Sequence, residues 1–334
     1  MTSTNASNPT AIALVLKPAP ATATATLDRW LSAVEPRPRW LDLSPRHGVR
    51  QLVPLLRHPR HYPQVLAAIV SQLNAPTVVA WEDTAYEVVG IDVNRDPLHL
   101  LRLSFASETP GWLPSDRAIR DLCFRWFANT NPQLAATLQQ VSPLPLTLGT
   151  YPARGGWKLN ISLLRGELFA PLLWGMSAEL GREIELDGMP VRLSSRVDRV
   201  ASNCYTTIAR QSPQNTLTLR FFSPTSFKQR DKIQPFPLPE FVFDSLRRRW
   251  NQFAPQSLHF SPVEWQGLVS AFDLTTKTRQ FNGNPQIGCV GWVRYEFRDR
   301  HQAEIATTLA QFARFSGIGR KTAFGMGQAV LTDR

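Results

Sequence analysis

Residues 316–328 read Ser316-Gly317-Ile318-Gly319-Arg320-Lys321-Thr322-Ala323-Phe324-Gly325-Met326-Gly327-Gln328. Four glycines in eleven residues permit positive φ and let backbone amides come close to an anion. Arg320 and Lys321, set between the two glycine pairs, add full charge to those donors. An apolar helix is expected before the segment, over Ile305–Phe315, and a strand after it, over Gln328–Leu331. A dinucleotide-binding glycine motif needs the reverse order, strand first and helix second, and a different spacing. A phosphate loop of the GxxxxGK[ST] form fails too, because Arg320 rather than a glycine precedes Lys321. Taken alone, the segment reads best as a glycine-rich turn with two exposed bases.

Upstream, the apolar periodicity gives two runs of similar order. Leu98–Phe105 is expected as a strand, and Ser115 as the cap of a helix reaching about Asn129. Leu146–Tyr151 and Lys158–Leu164 pair around the turn Arg154-Gly155-Gly156, followed by an apolar helix over Glu167–Leu180 and a strand or hairpin over Glu183–Leu193. The second run has a strand at Thr216–Phe222, helices at Glu240–Phe253 and Pro262–Phe272, strands at Leu274–Phe281 and Gly288–Arg298, and a helix at Gln302–Phe315. Strand–helix–strand–strand–helix–strand is the order of a ferredoxin-like split unit. The expected fold is therefore α+β: tandem ferredoxin-like (RRM-like) units at 98–214 and 215–334, preceded by a small α/β unit at 1–97. In that first unit, Ile12–Leu16 is a short apolar run, Leu27–Val34 and Pro63–Leu73 are expected helices, and Thr77–Trp81 with Tyr86–Val93 is a hairpin. Glu35–Trp40 and Arg57–Arg60 are expected loops, and Asn94–Pro97 a boundary.

Charge follows this division. Lys+Arg against Asp+Glu stands at 9 to 8 over residues 1–97, 8 to 8 over 98–187, and 20 to 10 over 188–334. Ten of the eleven excess positive charges thus lie in the last 147 residues, which points to a polyanion such as RNA or DNA. Cys123, Cys204 and Cys289 are too far apart for a disulfide framework or a zinc site. No basic segment opens the chain and no apolar stretch approaches bilayer length, so a reducing cytoplasm and no membrane partner are expected. No metal or cofactor set is apparent. His58-Pro59-Arg60-His61 is the nearest approach to one and reads as a loop.

The Gly-apolar-Gly, five residues, Gly-apolar-Gly form of 317–327 closely resembles the signature loop of the CRISPR-associated endoribonucleases that process precursor CRISPR RNA. Leu219–Phe227 (LRFFSPTSF) resembles the segment opening that family's second half, and Phe243–Ala254 its basic helix. Gly288–Phe297 and Ile161–Leu172 match in order as well, so the resemblance covers about residues 98–334. It implies two ferredoxin-like units, binding of CRISPR repeat RNA, and metal-independent cleavage by the ribose 2′-hydroxyl to leave 2′,3′-cyclic phosphate and 5′-hydroxyl ends. RNA contacts are expected from Gly317, Gly319, Arg320, Lys321, Gly325 and Gly327, from Lys228, Arg230 and Lys232, and from Arg247 and Arg248. Phe221, Phe222 and Trp250 are expected in the core rather than as stacking platforms.

The family's helix histidine is missing: Ser115–Asn129 holds none, and the position falls near Arg120 or Asp121. Three readings remain open. Arg120 and Lys158 stabilise the transition state with Tyr151 as proton carrier; His47 reaches the site from the first unit; or the chain binds CRISPR RNA without cutting it, as a subunit of an effector complex with other CRISPR-associated proteins.

Overall fold

The computed structural model describes residues 11–332 apart from 21, 24, 33, 36, 47–48, 57–58, 74–76 and 282–283. The chain opens with β1 (Ala11–Pro18), β2 (Ala25–Thr26), α1 (Leu27–Trp30), β3 (Arg39–Arg46), β4 (Val49–Leu55), α2 (Tyr62–Gln72), β5 (Val78–Trp81) and β6 (Thr84–Asn94). The sheet order β6-β1-β4-β3 is antiparallel throughout, with β5 hairpinned outside β6. That is the ferredoxin-like order, so the first unit repeats the topology expected only of the other two. The expected loop at Glu35–Trp40 overlaps β3, which begins at Arg39. The β3–β4 hairpin was masked in the sequence by Pro45 and Arg46. Pairing shifts between Leu43 and Arg46, the kind of irregularity where a strand tolerates proline.

Residues 98–203 form β7 (Leu98–Ala106), α3 (Asp116–Thr130), α4 (Pro132–Gln140), β8 (Leu146–Ala153), β9 (Gly156–Leu163), α5 (Phe169–Ser177), β10 (Glu183–Leu186) and β11 (Met189–Asn203), with sheet order β11-β7-β9-β8. Ser115 caps α3, its hydroxyl accepting from the Ala118 amide at 3.1 Å. Along β7, Leu101, Leu103 and Phe105 alternate into the core beneath α3 and α5, which turns Arg102 to the opposite face.

These two sheets are one. β3 pairs parallel with β11 at Leu43 and Val197, giving an eleven-stranded sheet. Ala11, Ala13, Leu41, Leu43, Val53 and Leu55 share a core with Phe169, Leu172 and Met176 of α5, while Ile12, Leu14 and Leu16 pack with α1 and α2. Both faces of β1 are thereby covered, which is why its sequence is an unbroken apolar run rather than an alternation. Arg199, 5% exposed at its side chain, bridges the seam to Gln51 at 2.7 Å and Asp92 at 3.4 Å.

After α6 (Tyr205–Ala209) come β12 (Thr216–Thr225), a small hairpin of β13 (Phe227–Gln229) and β14 (Lys232–Gln234), α7 (Pro239–Phe253), β15 (Leu268–Phe281), β16 (Asn284–Glu296), α8 (Arg300–Ser316) and β17 (Ala329–Thr332). The sheet order β15-β16-β12-β17 is again ferredoxin-like. The helix expected over Pro262–Phe272 is not formed, and β15 begins inside that range. Its apolar spacing has another cause: Trp265 packs on Phe243 and Phe297 and donates its indole N–H to Asp244 at 3.2 Å, pinning an irregular connection to α7. Leu98, Leu100, Leu164 and Tyr205 enter the core of this second unit. Arg249 donates from the interior to the Leu144 and Leu146 carbonyls, and burial pushes its pKa down to about 10, so it stays cationic. Among the described residues no helix is long and apolar enough to cross a membrane.

Candidate active site

The two-residue turn Arg154–Gly155 fixes the register of β8 against β9 and sets Tyr151 directly opposite Lys158. One strand further, Arg102 stands opposite Asn160, with its Nε donating to Asn160 Oδ1 at 2.9 Å. These four side chains leave the sheet on the face away from α3 and meet the second unit. Together with Arg314 of α8, Gln328 and Phe222 they line a cavity of about 400 Å³ between the units. Among the described residues no carboxylate lines it. Desolvation, and then the nearby Arg102 guanidinium, hold Arg314 below the usual arginine range. Two guanidiniums and an ammonium facing one space without a counter-charge make a site for an anion.

Burial pushes the Tyr151 hydroxyl above its ordinary pKa, against opposing effects from Arg102, Asn160 and Arg279. It is therefore a protonated phenol at neutral pH and suited to giving a proton rather than taking one. The hydroxyl donates to Gln328 Oε1 at 3.3 Å, and Gln328 Nε2 donates to the Leu148 carbonyl at 3.1 Å, which fixes the amide's orientation.

The glycine loop lies beside this cavity and serves the architecture. Ile318 sits in the core of the second unit and Ala323 in that of the first, so the loop clamps the two together. Its amides are largely bonded inside the protein: Ile318 to the Gly327 carbonyl at 2.8 Å, Gly319 to Ser245 Oγ at 2.9 Å, Arg320 to the Ser226 carbonyl at 3.0 Å, and Gly327 to the Pro224 carbonyl at 3.1 Å. The sequence reading gave these amides to an anion, but the backbone uses them to hold the loop to β12 and α7. A Cβ on Gly319 would lie 2.4 Å from the Ser226 oxygen and one on Gly327 2.1 Å from the Ile318 oxygen, so close backbone approach explains both. Gly317 and Gly325 share the positive φ.

The charged side chains around the loop divide. The Lys321 ammonium rests 3.4 Å from the centre of the Phe281 ring, and desolvation followed by Arg320 lowers its pKa. Arg320 is half-exposed, and its bonded partner Ser226 immediately precedes the β13–β14 hairpin, on which Lys228, Arg230 and Lys232 are exposed. Ser245, which holds the loop from α7, lies one turn before the exposed Arg248, whereas Arg247 is covered and paired with Asp244 at 3.3 Å. Arg120 lies apart from Tyr151 and Lys158. It does not line the cavity but stacks between Phe124 at 4.9 Å and Phe324 of the loop at 5.0 Å. Below it, Arg279 of β15 pairs with Asp116 of α3, both largely buried, and reaches Thr150 Oγ1 at 3.3 Å. His47 and His58 lie outside the described residues. His99 is buried flat against Phe169, and burial lowers its pKa to about 3. Among the described residues no three His, Cys, Asp or Glu side chains gather as metal ligands.

Sequence reasoning missed Arg102, Asn160, Arg314 and Gln328 as members of the site. The one available signal was the alternation of β7, in which Arg102 interrupts a leucine run. Phe221 and Trp250 are buried as expected, but Phe222 is 47% exposed and lines the cavity.

The model of the CRISPR-associated endoribonuclease Cas6 family matches residues 219–329, within the second unit. A Thermus thermophilus Cas6, solved as a product complex, is 24% identical with a TM-score of 0.64, and is matched over 100% of its length by 71% of this chain. A different Cas6 product complex is 26% identical with a TM-score of 0.59, covering 71% of this chain and 99% of its own. About three-tenths of this chain therefore has no counterpart in those structures. No curated protein sequence matches significantly. The second unit thus matches the model of the Cas6 family of CRISPR-associated endoribonucleases, and about seven-tenths of the chain shares the fold of solved Cas6 proteins.

Proposed function

We propose that the protein binds CRISPR repeat RNA and cuts it by transesterification, with the reacting phosphate held in the cavity between the units. The observation that supports this most is the convergence of Lys158, Arg102 and Arg314 with the protonated Tyr151 on one uncompensated cationic space. The 2′-oxygen attacks the adjacent phosphorus, the bond to the 5′-oxygen breaks, and a 2′,3′-cyclic phosphate remains. Lys158, Arg102 and Arg314 stabilise the added negative charge of the phosphorane. Tyr151 gives its proton to the departing 5′-oxygen, while the 2′-hydroxyl proton leaves to water. The amide oxygen of Gln328 orients the phenol. Arg120 is then a positioning residue, holding Phe324 and so the loop. Arg320, Lys321, Lys228, Arg230, Lys232 and Arg248 carry the RNA backbone outside the cavity, with Gly317, Gly319, Gly325 and Gly327 shaping the loop that presents the first two.

A second reading, that the chain binds CRISPR RNA without cutting it, is favoured by one observation. Where the family resemblance places a histidine, α3 carries Arg120 sandwiched between aromatic rings. End-labelled repeat RNA from the accompanying array, incubated with the protein in EDTA, separates the two. A single cut leaving a cyclic phosphate supports the nuclease. Intact RNA at saturating binding supports the second reading.

A further inference from the structure

Among the described residues, only the last of the three ferredoxin-like units leaves a broad sheet face without a helix against it. The first is packed on both sides, by α1 and α2 and by α5. The face of β7, β9 and β8 away from α3 meets α8. In the last sheet Leu217, Leu219 and Phe221 of β12 and Val293 and Tyr295 of β16 point into the core. The alternate residues therefore face outward: Arg220 and Phe222 on β12, Trp292 and Arg294 on β16. Register makes them one patch, since Arg220 stands opposite Trp292 and Thr218 opposite Arg294. Trp292 and Phe222 belong to no core cluster among the described residues, although both are large aromatics on central strands. Each has a guanidinium over its ring, Arg220 at 5.6 Å from Phe222 and Arg294 at 6.0 Å from Trp292. Asp273 of β15, opposite Trp292, and Glu296 at the end of β16 are the carboxylates of this face.

Core packing does not account for these two aromatics on adjacent central strands, Phe222 exposed and Trp292 partly buried, each with an arginine. Flat π-faces flanked by guanidiniums fit an unpaired base with its phosphate, and ferredoxin-like sheets can stack two or three bases on such aromatics. Phe222 also lines the cationic cavity, so a strand with one phosphate there continues directly onto this face.

We infer that the β12–β16 face is a base-stacking platform for the single-stranded stretch of RNA adjoining the phosphate in the cavity, with Phe222 and Trp292 as stacking surfaces and Arg220 and Arg294 on the backbone. This rests on the RNA-binding reading above, and the test is built to separate the two. Fluorescence anisotropy is measured with labelled repeat RNA and with an unstructured labelled oligoadenylate, for wild type, Phe222→Ala, Trp292→Ala, Phe222→Tyr and Trp292→Phe. The Ala variants should bind oligoadenylate roughly ten- to a hundredfold more weakly, with the slope of affinity against salt unchanged, and the aromatic variants should bind nearly as wild type. Because Phe222 is exposed, its Ala variant should keep the wild-type melting transition. Wild-type affinity in folded Ala variants, alongside tight wild-type binding of repeat RNA, would overturn the platform and leave the RNA-binding reading standing. A wild-type protein that binds neither RNA would overturn both.

Discussion

Replacing Gly327 with alanine tests whether the glycine loop is primarily a clamp. Gly327 has φ +72, and a non-glycine residue there costs about 1–2 kcal/mol. The new Cβ would also sit 2.1 Å from the Ile318 carbonyl oxygen and 3.1 Å from its carbon. Ile318 cannot retreat, because its side chain is fully buried and its amide is bonded to the Gly327 carbonyl at 2.8 Å. The loop has to open and give up that bond and the one from the Gly327 amide to Pro224, each worth about 1 kcal/mol. The expected loss is about 3–4 kcal/mol. Gly155 is the matched control: its φ is +74, but a Cβ there meets nothing within 4 Å, so Gly155→Ala costs only the backbone strain of about 1–2 kcal/mol. Urea unfolding of the two variants should therefore differ by about 2 kcal/mol, with unchanged slopes. Equal losses would refute the reasoning and return the loop's glycines to a ligand.

Two further outcomes follow from single features. His99 has a folded pKa of about 3 against 6.5 in the unfolded chain, so the unfolded state binds the extra proton between those values. Its contribution is complete above pH 6.5 and is lost as pH falls toward 3; stability should drop by about 2 kcal/mol from pH 7 to pH 5, and His99→Phe should flatten that slope. Replacing Lys228, Arg230 and Lys232 together with alanine should lower the slope of log affinity for repeat RNA against log salt by about two, without altering thermal unfolding, because all three lie in solvent on a hairpin tip.

The sequence was most informative where local chemistry decides structure. Ser115 announced α3, and the Arg154-Gly155-Gly156 turn with the alternation of Leu146–Tyr151 and Lys158–Leu164 announced the β8–β9 hairpin that carries Tyr151 and Lys158. It failed where tertiary packing overrides local pattern. The β3–β4 hairpin hid behind Pro45 and Arg46, and the spacing of Val263, Trp265 and Leu268 imitated a helix because Trp265 packs on α7. The cavity was half legible. Tyr151 and Lys158 are neighbours through a hairpin and could be paired by counting, but Arg314 and Gln328 reach them from residues far along the chain. Arg120 looked like their partner from helix position alone, yet α3 covers the other face of the sheet. Phe222 and Trp292 were obscured because exposed and buried aromatics look alike until register shows which way each points.

The most direct test of the proposed chemistry compares single-turnover cleavage of repeat RNA in EDTA by Tyr151→Phe, Lys158→Ala and Arg120→Ala, each at RNA concentrations that saturate binding. If the cavity holds the reacting phosphate, Tyr151→Phe and Lys158→Ala should each slow the cut by about 10²-fold or more, while Arg120→Ala, acting only through Phe324, should slow it far less. Cleavage abolished by Arg120→Ala but proceeding at the wild-type rate in both cavity variants would contradict the account and move the chemistry to the α3 side of the loop.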